Sequence, residues 1–296
     1  MPDANPVTAN EFIERELDTR LTAIEAAFNG HALGFSGPLW DGVDDLLRKT
    51  TERRVKKGAP NPRLVIILTT EGGYIETVQR MVDTVRRHYQ IVDFVVPNYA
   101  YSAGTVFAMA GDSIWMDYYS RLGPIDPQIE THPGRSVSAL GHLERYNALI
   151  KRAESGDITT AEVQLLIDGF DQAELYNYEQ AVELSISLLE KWLVKYKFKN
   201  WNETETRKAP VTEQMKIDRA SEVGRQLNDT KKWHSHGYGI SMEVVRRDLR
   251  IKIDDYEQYA DKCLAIREYH DLLIDYMGRR GSKGVIHILG DYRSFM

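Results

Sequence analysis

The sequence predicts an α/β fold, and three features of residues 63–116 predict it. Leu64-Val65-Ile66-Ile67-Leu68 is a short aliphatic, partly β-branched run bounded by Pro62 and by Thr69-Thr70-Glu71-Gly72-Gly73, the pattern of a buried strand ending in a glycine turn. Ile75, Val78, Met81, Val82 and Val85 then recur at helical spacing. Ile91-Val92-Asp93-Phe94-Val95-Val96, ended by Pro97, reads as a second buried strand, residues 102–111 as a tightly packed helix of small apolar residues, and Ser113-Ile114-Trp115-Met116 as a third strand. Strands alternating with helices in so short a stretch imply parallel pairing through right-handed crossovers.

The flanking regions read differently. Residues 1–8 are polar and expected to fray, and from Thr8 a helix begins with Leu17, Leu21, Ile24 and Phe28 on one stripe. Because its polar face is as acidic as basic, that stripe is expected to dock on protein rather than on a membrane surface. A loop rich in glycine (Gly30, Gly34, Gly37) and closed by Pro38 follows, then a helix around Val43, Leu46 and Leu47. The run from Glu52 to Arg63, with Arg53, Arg54, Lys56 and Lys57, reads as a solvated helix end and linker. Beyond Ser136, helical patterns occupy roughly 137–154, 159–199 and 211–228, with another helix from Asp254 to Met277. Val285-Ile286-His287-Ile288-Leu289 suits a small terminal strand.

Composition narrows the function. The 296 residues include 42% hydrophobic and 28% charged residues, enough for a substantial core. Lys and Arg number 38 against 44 Asp and Glu, a net charge of −6 that argues against a nucleic-acid partner. The aliphatic run Leu64–Leu68 is the longest, whereas a membrane span needs about twenty apolar residues, so no integral membrane segment is expected. Cys263 is the single cysteine, which excludes an intrachain disulfide and, with no basic-then-apolar leader, makes the cytoplasm the expected compartment.

Chemistry is expected at two turns. Thr69–Gly73 ends one strand and opens a helix; Tyr99-Ala100-Tyr101-Ser102-Ala103-Gly104 ends the next strand and opens another. Ligands of open parallel sheets bind where such strand ends and helix starts converge. A nucleotide phosphate is one reading, but neither turn carries G-x-x-x-x-G-K-[ST] or G-x-G-x-x-G. The other is a tetrahedral oxyanion, which needs two well-placed N–H donors, with Ser102 beside it as nucleophile. A serine opening a helix also reads simply as an N-cap.

Tyr101–Ile129, YSAGTVFAMAGDSIWMDYYSRLGPIDPQI, resembles the nucleophile region of the serine dehydrogenase proteinase family, related to signal peptide peptidase A and the Clp proteolytic subunit. The TEGG turn, Thr70–Gly73, resembles the oxyanion turn of the same superfamily, and Trp233–Ser241 with the expected helix Met242–Asp248 and strand Leu249–Ile253 resembles the family's terminal element. The resemblance implies a Clp/crotonase-like parallel-sheet core with βαβ units and long helical additions. It implies an N-terminal helical segment over 1–58, a peptidase-type domain over 59–256 with a helical insertion at about 137–228, and a C-terminal helix and tail over 257–296 suited to oligomer contacts. It also implies a homo-oligomer that cleaves a peptide or protein substrate without a cofactor. Carried over by position, Ser102 is the nucleophile, Gly73 and Ala103 give oxyanion amides, and Gly72 sets the turn.

The base is less plainly written. Where the Clp subunit has a histidine, the segment Leu122–Gln128 supplies Asp126; Lys151 is the nearest downstream lysine, matching the lysine base of signal peptide peptidases, but sits in an ordinary surface-helix setting. His236 lies in the segment resembling the one that donates the third triad member, with Gly237 where an acid often follows. A permuted triad of Ser102, His236 and Asp126 satisfies the roles of nucleophile, base and orienter. Loss of peptidase activity with retention of the groove is the competing expectation, acyl-CoA chemistry on the same fold a third. His234 and His236 with Asp254 or Asp255 make a weaker zinc reading. His132 and His142 read as loop and helix-surface residues, and Tyr99, Tyr101, Tyr118 and Tyr119 as lining of a cleft or interface.

Overall fold

The computed structural model describes residues 8–57, 59–126, 128–132 and 135–296. Residues 1–7, expected to fray, Pro127 of the LGPIDPQ motif and the side chain of His132 lie outside the described residues.

In chain order the elements are α1 (Ala9–Phe28), β1 (His31–Ser36), α2 (Val43–Lys57), β2 (Arg63–Thr69), α3 (Ile75–His88), β3 (Ile91–Val95), β4 (Tyr99–Ala100), α4 (Ala103–Met109), β5 (Ser113–Met116) and β6 (Arg121–Leu122). A hairpin of β7 (Gln128–His132) and β8 (Arg135–Ser138) follows, then α5 (Ala139–Glu154), α6 (Thr160–Gly169), α7 (Gln172–Trp192), a π-helical turn at Leu193–Lys197, and α8 (Glu213–Leu227). The chain closes with α9 (Thr230–Trp233), β9 (Ile240–Ser241), α10 (Met242–Arg247), β10 (Asp254–Asp255), a 3₁₀ turn at Tyr256–Gln258, α11 (Ala260–Arg280), β11 (Gly284–Ile288) and β12 (Asp291–Phe295).

A seven-stranded sheet of order β10-β5-β3-β2-β1-β11-β12 forms the centre. The five strands from β10 to β1 run parallel, as the alternating pattern requires, while β11 and β12 return antiparallel beyond β1. Helices cover both faces, so β2 is buried on both sides. Its Leu64, Ile66 and Leu68 pack with α2, α3, α4, α7 and α8, and its Val65 and Ile67 with α1 and α11. That double burial explains why β2 reads as an unbroken aliphatic run rather than an alternating one.

Three expectations need correction. The glycine-rich segment after α1 is not a loop: His31–Ser36 is a fully buried strand paired with both β2 and β11. Gly34 is there because a Cβ would overlap the Tyr269 hydroxyl from α11. The pattern over 159–199 is not one helix. Asp171, whose side chain accepts the amides of Ala173 and Glu174, starts a new helix after α6. Leu249–Ile253 is not a strand; the short strand is displaced to Asp254–Asp255, where it pairs with β5, and α11 begins only at Ala260. The apolar stripe of α1 is covered by α11 of the same chain, with Leu17, Leu21, Ile24, Tyr269, Leu273 and Tyr276 in one cluster. The terminal strand expected around Val285–Leu289 is present as β11.

Candidate active site

The site lies at the carboxyl ends of β2 and β4. Thr70 donates its amide to the Tyr99 carbonyl at 3.0 Å and accepts the Tyr101 amide at 2.9 Å, which ties the two turns side by side. Gly72 and Gly73 take φ of 103° and 151°. A Cβ on Gly72 would stand 2.8 Å from both the Ser102 Cβ and the Tyr101 carbonyl oxygen, and one on Gly73 would overlap the Leu39 carbonyl. Positive φ and close approach together require glycine at both positions.

Leu39 straps the turn from outside. Its amide donates to the Gly72 carbonyl at 2.8 Å and its carbonyl accepts the Tyr74 amide at 2.9 Å. The Gly72 amide is taken by its neighbour, donating to Thr70 Oγ1 at 3.0 Å. The amides of Gly73 and Ala103 donate to no acceptor among the described residues. Each of the two adjoining turns thus carries one uncommitted N–H group, and an oxyanion needs two such donors.

Ser102 has φ 53° and ψ −123°, and its side chain does not cap α4. These angles are those of the first central position of a type II′ turn, closed here by the Gly104 amide donating to the Tyr101 carbonyl at 2.8 Å. A serine is costly there, so the N-cap reading fails to account for it. Such sparsely populated backbone conformations cost on the order of 1–3 kcal/mol and cluster at functional sites.

One buried residue outside the expected set organises the turn. Thr105, with no exposed surface, has its hydroxyl 2.8 and 2.9 Å from the carbonyls of Ala100 and Gly123, which share its one proton, and accepts the Gly123 amide at 2.9 Å. It joins the first turn of α4 to the segment after β6, and a Cβ on Gly123 would stand 3.1 Å from the Tyr101 Cα. Asp126 follows three residues later, within about 11 Å by chain reach. Thr105 stands in the SAGT motif, so the signal was present in the sequence without its partner being visible there.

Asp126 is buried, and its Oδ1 is 2.9 Å from Nδ1 of the half-buried His236. Two residues separated by 110 positions therefore meet as an acid–imidazole pair. No hydrogen bond joins that pair to the Ser102 hydroxyl among the described residues. Lys151 is exposed on α5. Among the described residues no three His, Cys, Asp or Glu side chains gather to hold a metal ion. Tyr99 and Tyr101 stack with ring centroids 5.1 Å apart, and burial, then the charge of Glu71, pushes the Tyr99 phenol up. Tyr118 and Tyr119 are exposed instead. No helix among the described residues is long and apolar enough to cross a membrane.

Comparison with known proteins bears out the resemblance. Residues 42–160 match a family described as ClpP-like SDH-type serine proteinase, a span that includes Gly72, Gly73, Ser102, Ala103, Asp126 and Lys151 but not His236. Uncharacterized protein MJ1495 of Methanocaldococcus jannaschii is 27% identical over 172 residues, 56% of this chain and 54% of that protein. Uncharacterized protein MJ0137 of the same organism is 34% identical over 85 residues, 28% of this chain and 30% of that protein. The chain thus spans about half the length of the first relative and less than a third of the second. Among solved structures, it is similar to the 1510-N membrane-bound stomatin-specific protease. A serine-to-alanine mutant of that protease matches at TM-score 0.42 with 13% identity over 75% of this chain and 77% of the other. A lysine-to-alanine mutant in complex with a substrate peptide matches at TM-score 0.44 with 14% identity over 75% and 73%.

Proposed function

We propose that this chain, whose residues 42–160 match the ClpP-like SDH-type serine proteinases, hydrolyses peptide bonds through an acyl-enzyme on Ser102. The observation that carries the reading is the strained Ser102, pressed against Gly72 with its side chain free of the helix cap, in two adjoining turns whose Gly73 and Ala103 amides are uncommitted among the described residues. In this reading Ser102 Oγ attacks the scissile carbonyl carbon, its proton passes to Nε2 of His236, and the carbonyl oxygen gains the negative charge that the two amides receive. Collapse expels the amine with that proton, and a water repeats the sequence on the acyl-enzyme. Asp126 holds the Nδ1 side of the imidazole, which leaves Nε2 to act, with the roles of a triad in a permuted chain order. We place the machinery in residues 59–256 of a cytoplasmic homo-oligomer that needs no cofactor.

A second reading has its own support. Because no base is hydrogen-bonded to the Ser102 hydroxyl among the described residues, the same groove suits an oligomeric, peptide-binding protein without turnover. Labelling with a serine-directed fluorophosphonate separates the two. Wild type is expected to label, Ser102→Ala not at all, and His236→Ala at least about 100-fold more slowly, the scale of general-base catalysis. Labelling lost in Lys151→Ala but kept in His236→Ala transfers the base to Lys151. Absence of Ser102 labelling in every variant and buffer sinks the peptidase reading in favour of the binding protein.

A further inference from the structure

The opposite end of the sheet holds a second feature. The last turn of α2 comes against the turn between β11 and β12, where Gly290 takes φ 73°, and the two close around a cavity of about 270 Å³. Because Ile288 pairs with Leu33 near the start of β1, this cavity lies at the amino ends of the parallel strands. The length of β2 puts it roughly 20 Å from the turn at Gly72.

Four cations line the cavity, Arg53, Arg54, Lys57 and Arg293, against one carboxylate, Asp291. In a chain of net charge −6 this is a local inversion of sign. Asp291 fixes two of the cations, with Oδ1 2.6 Å from Arg293 Nε and Oδ2 3.0 Å from Arg53 Nη1. Both guanidiniums keep further N–H groups beyond those contacts. Arg54 is pinned through Nη2 by Glu25, at 2.8 and 3.0 Å, while its buried Nε has no hydrogen-bond partner among the described residues. Lys57 is exposed and has no ion-pair partner among them. On the outer side, a shallower depression shares Arg53 and adds Lys49 and Lys56 against Glu52.

We propose that this cavity is an anion site that takes a phosphate group, separate from the Ser102 site and independent of the peptidase reading. A carboxylate is already present in Asp291 and leaves donors unused, whereas a phosphate offers three acceptor oxygens to converging guanidinium and ammonium groups. The phosphate comes from a small phosphorylated molecule or from a lipid headgroup; the exposed Leu289 at the mouth is compatible with both.

The test is titration calorimetry of the full chain with pyrophosphate at constant ionic strength, beside sedimentation with phosphatidylglycerol and phosphatidylcholine vesicles. Saturable binding is expected, weakened about tenfold or more by Lys57→Glu and by Arg293→Glu and unchanged by Lys191→Glu. Circular dichroism of each variant confirms folding, and having the two substitutions on different elements guards against a local collapse. Pyrophosphate binding assigns a soluble ligand; binding confined to phosphatidylglycerol vesicles assigns a headgroup. Absence of saturable binding in both arms, or equal affinity in wild type and both glutamate variants, overturns the site.

Discussion

Ser102 holds a backbone conformation that glycine would hold at lower cost. Replacing it with glycine should therefore raise stability by about 1 kcal/mol in urea denaturation while abolishing fluorophosphonate labelling, a separation that an ordinary helix cap would not give. Gly72→Ala should instead lower stability together with labelling. Its new Cβ meets Ser102 and Tyr101, so labelling should fall by at least about 100-fold, since one displaced oxyanion donor costs that much. Thr105→Val removes a buried hydroxyl and leaves the Gly123 amide without its acceptor and the Ala100 and Gly123 carbonyls without the donor they share. Urea denaturation should show a loss of about 1–3 kcal/mol, largely restored by Thr105→Ser, which keeps the hydroxyl.

At the scale of elements, β1 depends on α11. The Tyr269 ring lies against Gly34, its hydroxyl 2.9 Å from Nδ1 of the buried His287, and Nε2 of that histidine is 3.2 Å from Asp18 on α1. One chain of polar groups thus joins α1, α11 and β11 beside the apolar cluster of Leu17, Leu21, Ile24 and Leu273. Gly34→Ala should shift the urea midpoint sharply down, and adding Tyr269→Phe should restore part of the loss by removing the oxygen that the new methyl meets. Leu21→Ala on α1, at 0% exposure, should cost about 2–5 kcal/mol by the same measurement.

For the whole molecule, pH dependence should come in two steps. Burial lowers the pKa of His31 and of His270, the latter 3.2 Å from Thr69 Oγ1. The unfolded chain binds these protons first, so stability should begin to fall as pH drops through about 6.5 and stop falling once the folded histidines are also protonated. Burial pushes the Asp112 and Asp117 carboxyls up, but hydrogen bonds outweigh it and hold both below the ordinary value. The donors are Lys199, the Val92 amide and Arg86 for Asp112, and Arg267 and Ser120 for Asp117. Their contribution is present above about pH 4 and lost as pH falls through the folded values. Urea midpoints measured across this range should show both steps, and His270→Gln should shrink the upper one only.

The parallel core is legible in the order of residues, because doubly buried strands and their crossover helices leave local patterns of aliphatic runs, helical spacing and glycine turns. The sequence also marked Ser102 and Gly72-Gly73 as candidates, because each candidate motif is a run of adjacent residues. It misread β1 as a loop because glycines signal turns locally, whereas Gly34 answers to a tyrosine 235 positions away. The family resemblance names Asp126 and His236 together, but only the tertiary structure gives their 2.9 Å contact, because elements with no shared periodicity bring them together. Tertiary structure decided likewise that α1 and α11 cover each other and that the charge run after Glu52 faces a cavity. Short-range sterics and hydrophobic burial write themselves into neighbouring residues; long-range polar pairing is settled only when the chain closes.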